Sequence, residues 1–223
     1  DSGWYVGLPS SAPAEVLTAP NNASLLNNAG YLSFASGHAN RQNAVLFSDN
    51  DGFLYALGYQ NIATSSSSTP TGPTLLWGWM PGALLPSLQN YPSFWQGNNM
   101  DNFASIDAYD NSDSKWHTYV VGVAGNGSIY YDLQLTGTSA PDLGNVVAQY
   151  NYSGYSQPVA SAPVFYQVNS PGASNFGQTW ALFAINNSSG SNLGILNVSS
   201  GAFQLDPLPI SDTATPYIDS NGN

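Results

Sequence analysis

Three acids fall within seven residues at Asp107-Ala-Tyr-Asp110-Asn-Ser-Asp113. Carboxylates at this spacing can supply oxygens to a hard cation such as calcium, which collects about six to eight of them; the plainer alternative is a polar loop facing water. Asp49-Asn50-Asp51 offers two more carboxylates and an amide. Here the expected role is a hairpin turn, because Asp and Asn side chains accept hydrogen bonds from nearby backbone N–H groups. The aromatic series Trp77, Trp79, Tyr91, Phe94, Trp95 and Phe103 could stack on sugars, with Trp77, Trp79, Tyr91 and Trp95 as the contacts, or could form a satellite core beneath an insertion. The only histidines, His38 and His117, have no Gly-x-Ser-x-Gly elbow beside them, so His117 is expected to pack or hydrogen-bond. No phosphate-cradling glycine loop and no His-Glu-x-x-His motif is present. No catalytic residue is assigned; an acid-base enzyme would have to draw on Asp49, Asp107 and Asp132.

The charge pattern narrows the partners. Of 223 residues only 7% are charged, with 13 acids against two bases, Arg41 and Lys115, and a net charge of -11. An ordinary soluble domain has about 25% charged residues. Two cations cannot neutralise a nucleic-acid backbone or dock on an anionic bilayer, so neither is an expected partner. No run approaches the ~20 apolar residues of a membrane-spanning helix. There is no cysteine, which removes disulfides, thiolate catalysis and structural zinc of the thiolate type. Asn22, Asn126, Asn151, Asn186, Asn187 and Asn197 each begin an Asn-x-Ser/Thr sequon.

Side chains must be positioned by elements, and the elements read as strands. Apolar runs are short, β-branched or aromatic, and bounded by Gly, Asn, Asp or Pro, the pattern of an all-β chain. Three segments resemble one another: Ala44–Leu57, Thr118–Leu133 and Thr179–Val198 each read as strand, polar turn, strand. Asp51-Gly52 and Asn126-Gly127 are expected at two-residue type I′ hairpin tips. The hairpins recur every ~60 to 75 residues, longer than a compact propeller repeat. That spacing predicts a β-propeller, or part of one, with about three to four blades and long loop insertions at 64–74 and 89–115. Only Leu75 to Leu88 looks locally helical, as short turns. Residues 1–223 are expected to form one propeller-like domain of a longer polypeptide, completed by the rest of its chain or by a partner subunit.

The order of Val45–Leu57, Leu76-Trp-Gly-Trp-Met-Pro-Gly-Ala-Leu-Leu-Pro-Ser-Leu88 and Trp116-His-Thr-Tyr-Val-Val-Gly-Val-Ala-Gly-Asn-Gly-Ser-Ile-Tyr-Tyr-Asp-Leu133 resembles the C-terminal β-propeller of the PilC/PilY pilus-tip adhesins. Ser156–Pro163 and Leu196–Phe203 fit the same order. The resemblance covers about Ala44 to Asn223, and it implies type IV pilus biogenesis, surface attachment and calcium-dependent regulation. Its calcium loop is matched only at the start, by Asp219, Asn221 and Asn223. The implied partners are pilus subunits and a host or abiotic surface, with glycans as a further target.

The expected function is therefore an extracellular, calcium-modulated attachment protein whose sequons are candidate glycosylation sites. Two alternatives stand beside it: a secreted propeller enzyme, quinoprotein-like or an acid-active hydrolase, and a glycan-binding propeller module. An enzyme should bring two or more carboxylates into one cleft, whereas an adhesin should leave them scattered at hairpin tips. With only two bases available for ion pairs, the fold is also expected to survive well below neutral pH.

Overall fold

The computed structural model describes residues 13–59, 73–90, 100–151, 162–170, 172–187 and 190–207. The chain is mostly β, arranged as three four-stranded antiparallel sheets. The first contains β1 (Glu15–Leu17), β2 (Asn43–Ser48), β3 (Leu54–Tyr59) and β4 (Thr74–Trp79); the second contains β5 (Met100–Asp110), β6 (Lys115–Ala124), β7 (Ile129–Thr136) and β8 (Asp142–Asn151). The third contains β9 (Val164–Gln167), β10 (Thr179–Asn187), β11 (Gly190–Asn197) and β12 (Phe203–Pro207). Within each sheet the strands lie side by side in chain order. The described sheets do not close into a ring.

The three repeated segments are the central strand pairs, β2–β3, β6–β7 and β10–β11. Period-two burial explains their visibility. In β2 and β3, alternate side chains Ala44, Leu46, Leu54 and Ala56 are buried. The second sheet is sandwiched by the other two, so both of its faces are apolar. Val120, Ala124, Tyr131 and Leu133 pack toward Leu46, Leu54 and Ala56 of the first sheet, while Tyr119, Val121, Val123 and Tyr130 pack toward Ala181, Phe183, Ile185 and Leu196 of the third.

The first strands of the sheets are joined by side chains. Glu15 on β1 accepts the Ser105 backbone N–H at 3.0 Å and also its hydroxyl. Gln167 on β9 donates to the Asp107 carbonyl at 2.7 Å.

Several expectations need correction. The stretch 89–115 holds β5, an eleven-residue strand; its mixed residues face a half-buried edge and lack a clean apolar pattern. Leu75–Leu88 divides into most of β4 and a 3-10 helix over Gly82–Asn90, whose Leu84 is buried in the core shared by the first two sheets. Asn126 and Gly127 take positive φ, 56° and 84°, as a type I′ tip requires. The tip at Asp51-Gly52 does not, because only Gly52 has positive φ there. Instead Asp49 organises this turn, accepting from Asp51 N and Phe53 N at 3.1 and 2.8 Å.

One element lacks any signal in the periodicity. Helix α1 (Ala29–Gly37) starts at Asn28, whose side chain accepts the Tyr31 N–H at 3.0 Å and caps the first turn. Tyr31 and Ala35, one turn apart, are its buried residues and pack with Trp116 of β6.

Candidate functional site

Four segments from different parts of the chain enclose a cleft of about 770 Å³: α1, the β5–β6 turn, the end of β7 and the turn Ala173–Phe176. Its inner wall is aromatic. Trp116 lies with Tyr31, Tyr109 and Phe176 edge-on to it at centroid distances of 4.9, 5.6 and 6.1 Å, an arrangement favoured by the opposite charges of ring face and edge. Gly177 makes this packing feasible. It has φ +83°, and a Cβ there would meet Trp116 Cη2 at 2.4 Å, so only glycine suits both the backbone and the contact.

The basic residues gather at the same place. Arg41, Lys115, His38 and His117 all line the cleft, and these are the chain's two cations and its two histidines. None of the described acidic residues lines it. His38 is held by its Nδ1 against the Phe34 carbonyl at 2.8 Å. His117 Nε2 lies 2.9 Å from Asp113 Oδ2. Lys115 is exposed and forms no ion pair among the described residues.

Arg41 is buried, and its Nη1 donates to Thr118 Oγ1 at 3.0 Å while Nη2 donates to the Thr18 carbonyl at 2.8 Å. Thr118 in turn donates to Asp107 Oδ1 at 2.8 Å, and Tyr31 donates its hydroxyl to Asp107 Oδ2 at 2.7 Å. Burial lowers the Arg41 pKa, and the neighbouring Asp107 and Tyr31 oppose that shift. Burial next to Asp107 raises the Tyr31 phenol well above its usual value.

This network separates the metal candidates. Asp107 belongs to the Tyr31–Thr118–Arg41 network. Asp110 and Asp113 instead share the β5–β6 turn with His117, their ligand atoms within 4.8 Å of one another. Strand alternation is the cause, since residues 107 and 110 differ in parity and leave opposite faces of β5. Both turn carboxylates already accept backbone N–H groups, Asp110 from Ser112 at 2.7 Å and Asp113 from Lys115 at 3.0 Å. Two carboxylates and an imidazole nitrogen do not fit calcium, which takes only oxygens and needs more of them. Asp219, Asn221 and Asn223 lie outside the described residues.

Of the aromatic glycan candidates, Trp77 and Trp79 pack against the core between the first two sheets. Trp77 donates to the Pro141 carbonyl at 2.8 Å, and Trp79 lies 4.9 Å from the Tyr131 ring. Tyr91 and Trp95 lie outside the described residues.

Among the sequons, Asn126 and Asn151 are exposed. The side-chain oxygens of Asn22 and Asn197 serve local turns, accepting from Ser24 N at 3.1 Å and from Ser200 N at 3.0 Å. The side chains of Asn186 and Asn187 lie outside the described set.

The three carboxylates an enzyme would use have different surroundings. Asp49 holds a hairpin turn, Asp107 sits in the Arg41 network, and Asp132 is fully buried with neither oxygen hydrogen-bonded among the described residues. Burial raises the Asp132 pKa well above the ordinary carboxylate range. Asp101, which accepts the Gly127 N–H at 2.8 Å, is pushed up by burial to about 6.

The cleft residues that sequence reasoning did not assemble are Phe34, Arg41, Tyr109, Lys115, Trp116 and Phe176. A signal existed: the four basic residues form two close pairs, His38 with Arg41 and Lys115 with His117, in a chain otherwise free of positive side chains. No family model matches the chain, and neither a curated protein nor a solved structure matches it.

Proposed function

We propose that this chain is an extracellular attachment protein that works by binding and is built as an array of β-propeller blades. The observation that carries this reading is the separation of Asp49, Asp107 and Asp132 into a turn, a buried network and an apolar core, while one large cleft collects the basic groups. A hydrolase needs convergent acid and base groups within hydrogen-bond reach of one substrate. A binding protein needs a shaped cleft with a few polar groups.

The blade reading draws support from the sheets themselves. Each is a four-stranded meander stacked face to face on its neighbour. The outer face of the third sheet carries Val164 and Tyr166, 67% and 60% exposed, with half-buried Trp180 and Leu182 beside them. Blades bury such faces against further blades, so the remainder of a longer chain or a partner subunit would cover it. The sequons and the scarcity of charge support a place outside the cell, and the PilC/PilY resemblance supports a role at the pilus.

The test is attachment under flow. Beads coated with the full chain are passed over glycan-coated, abiotic and albumin-passivated surfaces. Saturable retention that free protein competes away is expected on one of the first two. Retention equal to that on passivated surfaces overturns the proposal.

A further inference from the structure

We infer that the cleft beside α1 is an anion-selective saccharide site, and that its ligand carries an anionic group, carboxylate or sulfate, on a sugar ring. This rests on the binding reading above and specifies its target. The charge distribution comes first. A chain with a net charge of -11 repels anions at long range, but at physiological salt a charge is screened over about 8 Å. The local lining therefore decides what binds. That lining holds both cations, both histidines and none of the described acids. Lys115 is exposed at the rim and free of ion pairs among the described residues, so its ammonium can meet a ligand anion. Arg41 also lines the cleft, but it is buried and its charge is offset by Asp107 across Thr118. Asp113 offsets His117 at 2.9 Å, which leaves Lys115 as the main direct contact.

The rest of the lining selects a sugar over a bare ion. Half-buried Phe34, Tyr109 and Phe176 offer apolar ring surface, while Ser33, Ser114 and Thr136 offer exposed hydroxyls. A pyranose has the complementary composition: an apolar C–H face and a rim of hydroxyls. A volume of about 770 Å³ accommodates a short oligosaccharide and lies within the usual range for organic ligand sites.

The test uses the full chain and three probes in calorimetric titration: tetragalacturonate, which is carboxylated; maltotetraose, which is neutral; and a sulfated tetrasaccharide. One of the charged probes is expected to bind at least tenfold more tightly than maltotetraose, and to weaken several-fold between 50 and 500 mM NaCl. Lys115→Gln should weaken it about tenfold with an unchanged melting temperature, since that side chain is exposed, and His38→Gln should weaken it less. Equal binding of the neutral probe, or no effect of Lys115→Gln, overturns the anion-selective site. Whichever charged probe binds more tightly names the anionic group, and the site is overturned if neither exceeds the neutral probe. Absence of saccharide binding with retention under flow preserved overturns this inference alone, whereas loss of both overturns the attachment reading as well.

Discussion

The two faces of the central sheet each hold a carboxylate, and they hold it in opposite ways. On the face toward α1 and the first sheet, Asp107 receives hydrogen bonds from Tyr31 and Thr118, and Thr118 also accepts from the buried Arg41. On the face toward the third sheet, Asp132 lies among apolar side chains with no hydrogen bond to either oxygen among the described residues. A buried ionised carboxylate without donors is too costly to persist, so the group takes up a proton instead. The difference shows that this fold uses its scarce cation on one carboxylate and leaves the other to protonation. The two faces should therefore respond oppositely to mutation of their polar groups.

The largest expected effect comes from removing the cation. Arg41→Met keeps much of the side-chain volume but leaves the Thr118 hydroxyl and the Thr18 carbonyl without the Arg41 donors, and it removes the cation near Asp107. Breaking one side of a buried charged network costs about 3 to 5 kcal/mol. Urea denaturation at pH 7 should show a loss of that order, equivalent to a fall in melting temperature of roughly 10 °C in a domain of this size. A loss under about 1 kcal/mol would mean that Asp107 does not depend on Arg41, and the contrast between the faces would lose its basis.

The opposite face should gain from acid. A carboxyl whose folded pKa exceeds its unfolded value contributes stability that is fully present below the unfolded value, about 3.9 for Asp, and lost as pH rises through the folded value. Asp132 on this face, raised well above the usual range, has this sign, and so does Asp101 beside the β6–β7 tip, at about 6. Between pH 7 and pH 4 unfolding free energy should therefore rise, by about 1.4 kcal/mol per pH unit for each carboxyl within its window. Asp132→Asn should raise stability at pH 7 relative to the parent and flatten the profile, with little difference at pH 4. Denaturant midpoints across this range decide the matter; a parent profile that falls steadily from pH 7 to pH 4 would refute it.

The same burial governs what could be read from the sequence. The central pairs β2–β3, β6–β7 and β10–β11 were legible because their buried faces produce dense apolar runs such as Tyr119–Val123. The edge strand β5 is partly exposed along most of its length, so its Asn, Ser and Asp residues resemble a loop. Helix α1 has nine residues and almost no amphipathic pattern; it depends on the Asn28 cap and on packing with Trp116, a residue of another sheet. At the cleft, residue types were visible but convergence was not, since Arg41, just ahead of β2, and Lys115, on β6, line it from distant parts of the chain and no local period records that. The turn at Asp51-Gly52 shows the converse. A strong dipeptide signal was overridden by the Asp49 side chain, which supplied acceptors for two backbone donors.

The smallest effect separates hydrogen bonding from charge within the Asp107 network. Tyr31→Phe keeps the ring that meets Trp116 edge-on at 4.9 Å and removes only the hydroxyl. That hydroxyl donates to Asp107 Oδ2 at 2.7 Å and accepts the Asn22 N–H at 2.9 Å. Hydrogen bonds to charged groups contribute about 1.5 to 3 kcal/mol, but Asp107 retains Thr118 as a donor. A loss of about 1 to 2 kcal/mol is therefore expected, less than for Arg41→Met. Thr118→Val should fall between them, because Thr118 is the link between Arg41 and Asp107. In the double variant Tyr31→Phe with Thr118→Val, Asp107 loses both donors that the structure gives it, so the two losses should exceed additivity by about 1 kcal/mol, within the range for neighbouring residues of one network. Strict additivity in the double-mutant cycle would mean that the two donors act independently, and that Asp107 is no better supported as part of a network than Asp132 is in its apolar surroundings.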